Sequence, residues 1–192
     1  MKFDIILAGV GGQGVLSVSA LIAASALKEG LAVKQSEVHG MSQRGGAVLA
    51  NLRLADAPIA SDLIPRGTAA LILSMEPIES LRYLEYLSAD GTVISSTNPV
   101  TNIGDYPPLE DVLAQIRSLP HTILIDAETL ARQAGSARAT NMVMVGAASP
   151  LLPVSFETLE HFVKTIFAAK GGNVVETNLR ALHAGRAAAA AR

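Results

Sequence analysis

The chain has 192 residues, of which 49% are hydrophobic and only 4% aromatic, and its formal net charge is −2. This length suits one domain, residues 1–192, with a substantial core. An aliphatic core with few aromatic side chains is typical of α/β sheets packed against helices. The small net charge gives no electrostatic reason to expect nucleic acid or an acidic membrane as partner.

The sequence contains no cysteine. This excludes disulfides and the thiolate ligation usual for iron–sulfur clusters and structural zinc. Any redox centre that serves this protein is therefore expected on another chain. No apolar run reaches the ~20 residues needed to span a bilayer, and no signal-peptide pattern stands at the N-terminus. A cytoplasmic location is the expectation.

A buried strand, a glycine turn and a helix open the chain. Residues 3–8 are almost continuously apolar, as in a parallel strand covered on both faces. Residues 9–14 are glycine-rich, and residues 15–29 form an apolar, alanine-rich segment that Gly30 ends. Residues 31–33 are predicted to return as a second parallel strand, which completes a βαβ unit.

The next segment predicts a departure from a purely parallel sheet. Residues 37–46 are polar and rich in glycine, without a strand or helix period. Residues 48–54 alternate apolar and polar side chains, which predicts an antiparallel strand near an edge with one wet face. Residues 59–64 are predicted to pair back as the second arm of a hairpin.

The remaining pattern predicts three more strands and a helical C-terminal part. The strands are expected at residues 69–73, 92–96 and 122–125, and Asp90-Gly91 is read as a turn. Asp126 and Ser155 are candidate helix caps, and Asn173 with Glu176 resembles a capping box. The predicted fold is α/β, a three-layer Rossmann-like mixed, mostly parallel sheet with a hairpin insertion and a helical C-terminal part.

The turn Gly9-Val10-Gly11-Gly12-Gln13-Gly14 matches the spacing G-x-G-x-x-G. In a dinucleotide fold such glycines approach a pyrophosphate, and Glu37 lies where a ribose-binding acid is expected. Alternatively, the glycines only permit close packing of strand and helix. The favoured interpretation is contact with a phosphate-bearing ligand or a partner subunit. Gly14-Val15-Leu16 replaces the G-K-[ST] of a P-loop, which argues against an NTPase.

The polar loop after residue 37 concentrates hydrogen-bonding groups in a short span, namely His39, Ser42, Gln43 and Arg44. A guanidinium between glycines suits bidentate binding of a carboxylate or phosphate. A solvated connection is the alternative. The other histidines lack metal-ligand spacing, and no serine lies in G-x-S-x-G. The sequence therefore predicts neither a catalytic residue nor a metal ligand on this chain.

The segments 6–16 and 37–48, together with Asn141-Met142-Val143-Met144-Val145-Gly146-Ala147, resemble one family over almost the whole chain. This family is the gamma-type domain of the 2-oxoacid:ferredoxin oxidoreductases, and the resemblance is greatest to the small (beta) subunit of the indolepyruvate-specific members. It implies a heteromeric enzyme whose large subunit binds thiamine diphosphate and carries the iron–sulfur clusters. Such a complex decarboxylates an arylpyruvate, reduces ferredoxin and releases the acyl group as a coenzyme A thioester.

The resemblance implies that this chain is inactive alone and completes a site on the assembled complex. The residues expected to contact a cofactor there are Gly9, Gly11, Gly12, Gln13, Gly14, His39, Ser42, Arg44 and Gly45. Coenzyme A at the subunit interface and a homodimer of the isolated chain are left open. The competing functions are a stand-alone dinucleotide-binding oxidoreductase and a non-enzymatic scaffold subunit.

Overall fold

The computed structural model describes residues 1–39, 45–101 and 104–191, and for His39 only the backbone. Within them the six strands are β1 (Lys2–Val10), β2 (Ala32–His39), β3 (Ala47–Ala55), β4 (Ala69–Ser74), β5 (Leu87–Ser96) and β6 (Thr122–Ile125). The helices are α1 (Val15–Lys28), α2 (Pro77–Arg82), α3 (Leu109–Arg117), α4 (Ala127–Gln133), α5 (Thr140–Ala148), α6 (Phe156–Phe167) and α7 (Gly172–Ala190).

The strands form one mixed sheet in the order β2-β3-β1-β4-β5-β6. The pairs β1–β4, β4–β5 and β5–β6 are parallel, whereas β3 is antiparallel to both of its neighbours. The mixed, mostly parallel α/β sheet predicted from the sequence is confirmed. Because β3 lies between β1 and β2, the two strands joined by α1 are not adjacent.

Helices cover both faces of the sheet. Ile5 and Leu7 of β1 face a core formed with α1, α5, α6 and α7. Ile6 points to the opposite face and packs in a second core with residues of α3. The alternation explains the continuous apolar run of β1, since a strand buried on both faces needs apolar side chains at consecutive positions.

β3 is antiparallel and lies next to the edge strand β2, as predicted, but its predicted wet face is wrong. Its polar residues Asn51 and Arg53 are only 4% and 7% exposed. Arg53 donates from Nε and Nη2 to the two carboxylate oxygens of Asp4 on β1, at 2.9 and 3.1 Å. A buried arginine is acceptable only when it is paired, and this pair gives β3 the polar alternation of a solvated strand.

The predicted hairpin arm at residues 59–64 is also wrong, because this segment forms no strand. Its backbone is bonded by side chains instead: Arg53 donates to the carbonyls of Ser61 and Leu63, and Asn51 accepts from the amide of Ile64. The antiparallel hairpin is formed by β2 and β3. Residues 37–39, predicted as part of a loop, are the last residues of β2.

Two smaller predictions are corrected. Asp90-Gly91 is not a turn but part of β5, where the register with β4 shifts between Ala69 and Leu71. A Cβ at Gly91 would lie 2.8 Å from the carbonyl oxygen of Ala69, so glycine is needed for this close approach. The capping box at Asn173 is absent, since α7 begins after Gly171 without a side-chain cap.

The caps predicted at Asp126 and Ser155 are confirmed, because each side chain accepts the amide three residues ahead. α5 and α7 cross at two glycines. A Cβ on Gly146 would overlap the carbonyl oxygen of Leu182, and one on Gly185 would overlap that of Val143. This crossing fixes α5, whose first residues reach the site described below. No helix in the described part of the chain is long and apolar enough to cross a membrane.

Candidate functional site: a cleft at the carboxyl ends of the parallel strands

The glycine turn connects β1 to α1 and is held by the side chain of Gln13. Its Oε1 accepts from the amide of Val10 at 2.8 Å, and its Nε2 donates to the carbonyl of Met75 at 3.1 Å. Gly12 and Gly14 have φ of 104° and 80°, a region that side chains disfavour. Gln13 therefore ties the ends of β1 and β4 together while two glycines turn the backbone into the helix.

Packing leaves no space at two of the glycines. A Cβ at Gly9 would lie 2.8 to 3.1 Å from Val15, Gln13 and Met75. A Cβ at Gly14 would lie 2.9 Å from Nδ2 of Asn141, at the start of α5. By contrast, a Cβ at Gly12 would meet nothing within 4 Å. Close packing thus explains Gly9 and Gly14, whereas the open space at Gly12 belongs to the cleft.

The structure joins the glycine turn to the end of the polar loop. The amide of Gly11 donates to the carbonyl of Gly46 at 2.8 Å, and the amide of Gly45 donates to the carbonyl of Gly11 at 3.3 Å. These bonds continue the β1–β3 ladder beyond Val10 and Ala47. The two motifs that the sequence analysis singled out therefore meet in one backbone-bonded wall.

This wall borders a cleft of about 560 Å³. The cleft opens where β1 is flanked by β4 on one side and by the β3 insertion on the other, at the carboxyl ends of the parallel strands, which is where open α/β sheets bind ligands. The described lining residues are Gly12, Gln13, Gly14, Met75, Ser96, Asn98, Pro99, Val100, Ala127, Glu128, Ala137, Arg138, Thr140, Asn141 and Met144.

Two helices begin at the cleft without a side-chain cap on their N-cap residue. α1 follows Gly14 and α5 follows Ala139, and neither has an acidic side chain in its first turn. The first amides of a helix lack intrahelical acceptors and carry partial positive charge. Asn141 satisfies the amide of Met142, but the start of α1 is left as a group of donors suited to a phosphate or carboxylate.

The third helix start at the cleft, that of α4, is closed by side chains. Asp126 accepts from the amide of Thr129 and from Nδ2 of Asn98, and Asn98 accepts from the amide of Glu128. Burial by itself raises the pKa of Asp126, but the hydrogen bonds from Thr129 and Asn98 outweigh it and hold this pKa below its usual value. Asp126 is therefore an ionised cap rather than a proton donor.

A buried carboxylate anchors the loop that follows β5. Glu76, only 1% exposed, accepts from the amide of Val100 and from the hydroxyl of Tyr106, at 3.3 and 2.6 Å. Burial, and then the hydrogen bond to Glu76, raise the pKa of Tyr106 well above its usual value, so the hydroxyl remains a donor. The rim of the cleft at residues 98–100 is thereby fixed to the start of α2.

The predicted contact residues separate into three groups. Gly11, Gly12, Gln13, Gly14 and Gly45 come together at the turn, and three of them line the cleft. Gly9 lies within β1 behind the turn. The backbone of His39 pairs with Val48 at the end of β2, while Ser42 and Arg44 lie outside the described residues.

The sequence analysis did not single out Asn98, Glu128, Arg138 or Asn141 as contact residues. Asn98 and Glu128 follow the carboxyl ends of β5 and β6, where parallel strands present ligand-binding groups. Applying that rule to every strand end would have identified these two. Arg138 and Asn141 reach the cleft only through the path of the chain after α4. Asn141 begins a segment that carries the family resemblance, but no local pattern marks either residue as a cleft contact.

The described residues bring together no set of donors suited to an iron–sulfur cluster or a metal centre. The sequence has no cysteine, and no group of three or more His, Asp or Glu side chains comes together among the described residues. The described lining of the cleft offers backbone amides, amide side chains and Arg138, which bind anions. Its one carboxylate, that of Glu128, is paired with Arg132.

Comparison with known proteins agrees with this geometry. Residues 4–188 match the family model described as pyruvate ferredoxin/flavodoxin oxidoreductase. The chain is 36% identical over 192 residues to the indolepyruvate oxidoreductase subunit IorB of Archaeoglobus fulgidus, covering 96% of this chain and 94% of that protein.

Two solved structures share the fold. A keto/oxoacid ferredoxin oxidoreductase gamma subunit from Geobacter sulfurreducens superposes with a TM-score of 0.73 at 23% identity, covering 99% of each chain. The 2-oxoglutarate:ferredoxin oxidoreductase of Magnetococcus marinus, solved with 2-oxoglutarate, coenzyme A and succinyl-CoA bound, gives a TM-score of 0.79 at 24% identity. The match covers all of this chain and 31% of that one.

The match over nearly the whole chain, on a fold with an antiparallel strand inserted beside the glycine turn, confirms the family predicted from the sequence. The chain belongs to the pyruvate ferredoxin/flavodoxin oxidoreductase family.

Proposed function

We propose that this chain is the small subunit of an indolepyruvate:ferredoxin oxidoreductase and that it completes the reaction site of a larger partner subunit. The observation that carries the proposal is the wall in which Gly11 is bonded to Gly45 and Gly46. It unites two of the three segments on which the family resemblance rests. The substrate class follows from the relative of 36% identity, which is named for indolepyruvate.

The contribution of this chain is binding rather than chemistry. The amides at the start of α1 have the arrangement that holds a phosphate or carboxylate, and Arg138 and Asn141 line the same cleft, with Asn141 next to Gly14. Coenzyme A, which is bound in the Magnetococcus relative, carries such groups and is the acceptor of the acyl product in this reaction class. We place its phosphates, at the subunit interface, in this cleft.

The polar loop supplies the other proposed contact residues, His39, Ser42 and Arg44. Arg44 lies one residue before Gly45, whose amide is bonded to the glycine turn. A guanidinium is suited to a phosphate or carboxylate, which it binds through two parallel hydrogen bonds. We assign Arg44 and His39 to contacts with coenzyme A or with the catalytic subunit.

The electron-transfer groups belong to the partner. With no cysteine in this chain, the iron–sulfur clusters lie on the large subunit, which also binds thiamine diphosphate and delivers electrons to ferredoxin. Residues 1–192 act as a single gamma-type domain in this arrangement. The isolated chain is inactive towards 2-oxoacids, as a homodimer or as a monomer.

The arrangement of β2 argues against a stand-alone dinucleotide enzyme. In such a fold the acidic ribose ligand ends the strand next to β1. Here β3 separates β2 from β1, and Glu37 pairs with Ala50 of β3. Two strand spacings, roughly 10 Å, therefore separate Glu37 from the glycine turn. Calorimetry of NADH or NADPH with the isolated chain should detect no tight binding.

The test compares two glycines at opposite ends of α1. Gly12 and Gly30 both have positive φ, and a Cβ at either would meet nothing within 4 Å. Replacing either with alanine imposes a similar backbone strain, about 1–2 kcal/mol. Of these two glycines, Gly12 lines the cleft and Gly30 does not. In the complex reconstituted with its large subunit, G12A should lower indolepyruvate-dependent acceptor reduction and raise the KM for coenzyme A, whereas G30A should not.

Three outcomes separate the hypotheses. Equal activity of the G12A and G30A complexes would show that the turn serves packing alone. Reduced assembly of G12A, with normal turnover of what assembles, would support a scaffold. The absence of a large, cysteine-rich, thiamine- and iron-containing partner from material purified from the native host would contradict the subunit assignment itself.

A further inference from the structure

A second cavity, of about 490 Å³, lies beside the cleft. Arg138 and Asn141 line both spaces, so the two are neighbours separated by these side chains. The second cavity lies between the end of α6 and the start of α7, and Lys170 and Asn173 line it there. Nothing in the proposed function uses this cavity.

The charge of the cavity is positive. Among the described residues that line it, Arg138 and Lys170 are cationic and none is acidic. Neither side chain forms an ion pair with a described residue, and Nζ of Lys170 lies 5.2 Å from the centre of the Phe167 ring. Two cations that share a cavity without a carboxylate leave a site that an anion would neutralise.

Two buried polar side chains line the same cavity with incomplete hydrogen bonding. Thr177 and Asn178 are each 6% exposed. The Thr177 hydroxyl accepts from Arg180, but its own proton has no acceptor among the described residues. Asn178 donates to the carbonyl of Val174, while its Oδ1 receives no hydrogen bond from the described chain. Each side chain therefore keeps one unused donor or acceptor at the cavity beside the partner that it already has.

The start of α7 adds to the positive charge of the cavity. The helix is 19 residues long, follows Gly171 without a side-chain cap, and has no acidic residue in its first turn. The amide of Asn173, which lines the cavity, has no acceptor within the helix and contributes partial positive charge there, whereas the amide of Val174 donates to the carbonyl of Gly171. The helix end supplements the two cations and the buried hydroxyl rather than defining the site alone.

We propose that the cavity binds a phosphate group. Its oxygens accept from Lys170, Arg138 and the Thr177 hydroxyl, and the P–OH of hydrogen phosphate or of a monoester donates to Oδ1 of Asn178. This combination distinguishes phosphate from a carboxylate, which when ionised only accepts. The phosphate has two potential sources: free inorganic phosphate, or one phosphate group of a ligand that also occupies the neighbouring cleft.

The experiment uses the full chain and isothermal titration calorimetry in a phosphate-free buffer. The probes are inorganic phosphate and coenzyme A. The variant is K170Q, and its control is K164Q, since Lys164 is also exposed on the last turn of α6 but does not line the cavity. Loss of one charged contact should weaken phosphate binding about tenfold in K170Q and leave it unchanged in K164Q.

A second pair of variants tests the buried hydroxyl. T177V should weaken phosphate binding, whereas T177S keeps the hydroxyl and should retain it. If K170Q weakens the binding of both probes, the phosphate belongs to a ligand that spans the two cavities. If only inorganic phosphate is affected, the free anion is the source. Wild-type chain that binds neither probe, or equal affinities in K170Q and K164Q, would overturn the proposal.

Discussion

The polar groups at the two ends of β1 differ in how their hydrogen bonds are satisfied. At the amino end, Asp4 is 1% exposed, and its carboxylate is bonded to Arg53, which in turn holds the carbonyls of Ser61 and Leu63. At the carboxyl end, the chain turns through Gly11 to Gly14, and the first amides of α1 face an open cleft. One end satisfies its polar groups within the chain, and the other presents them to a ligand.

This difference separates stability from function along a single strand. A closed, buried ion pair tolerates no loss of a partner, because the remaining charge is left without solvent. A helix start that faces solvent loses little when a neighbour changes, since water replaces the missing contact. Substitutions at the two ends should therefore affect unfolding and turnover to different degrees.

The largest effect is expected at the closed end. D4A leaves the Arg53 guanidinium buried without its carboxylate and should lower the free energy of unfolding by about 3 to 5 kcal/mol. Urea denaturation of the isolated chain measures this. K2Q is the control, because Lys2 also bonds to Asp4 but is 53% exposed, so its loss should cost less than about 1 kcal/mol. Similar costs for both variants would contradict the assignment of Asp4–Arg53 as the critical pair.

The next effect concerns the frame that holds α5 at the cleft. G146A places a methyl group against the carbonyl of Leu182 and should separate α5 from α7, at a cost of about 3 kcal/mol. G172A is the matched control, since a Cβ there meets nothing within 4 Å. Thermal unfolding should show a lower Tm for G146A and an unchanged or slightly higher one for G172A. Equal Tm values would show that the helices can move apart freely.

A smaller effect is expected at the open end. Q13A removes the hydrogen bonds to the amide of Val10 and the carbonyl of Met75 and should cost about 1–2 kcal/mol. Turnover of the reconstituted complex should fall by more than the loss of folded subunit explains, because the turn loses its fixed shape. Q115A, on an exposed position of α3, should change neither quantity. Normal kinetics in Q13A would separate the turn from the reaction.

The smallest effect is a pH dependence at Asp126. Because its folded pKa is lowered, ionised Asp126 contributes stability above its unfolded pKa, near 3.9, and loses it as pH falls through the folded value. D126N keeps a capping acceptor but does not titrate, so its stability should fall less between pH 5 and pH 2. At pH 7 the two proteins should differ by ~0.5 kcal/mol or less. Parallel acid-unfolding curves would exclude this contribution.

The sequence was informative where a local rule decides the structure. The buried run of β1, the glycine turn, the caps at Asp126 and Ser155 and the resemblance to the family all follow from neighbouring residues. The fold class and family are confirmed. The contact roles assigned to the glycine turn and to Arg44 stay predictions, which the G12A and G30A complexes begin to test.

Errors arose where a distant partner changes the meaning of a residue. Arg53 was read as solvated because its partner, Asp4, lies 49 positions away. The same pair accounts for residues 59–64, whose carbonyls bond to the arginine rather than to a strand. Arg138 and Asn141 were missed as cleft residues for a similar reason, since the packing of α5 against α7, distant in the sequence, fixes the segment that carries them to the cleft.

The hydrogen bonds between Gly11 and the Gly45–Gly46 segment allow the opening of the cleft wall to be measured by hydrogen exchange. An amide exchanges its hydrogen with water only when its bond opens, so the exchange rates of Gly11 and Gly45 report how often the wall separates. If a ligand or the large subunit binds only when the wall is closed, hydrogen exchange at both amides should slow by a common factor. That factor would give the occupancy of the site in solution, without labelling the ligand and without catalytic turnover.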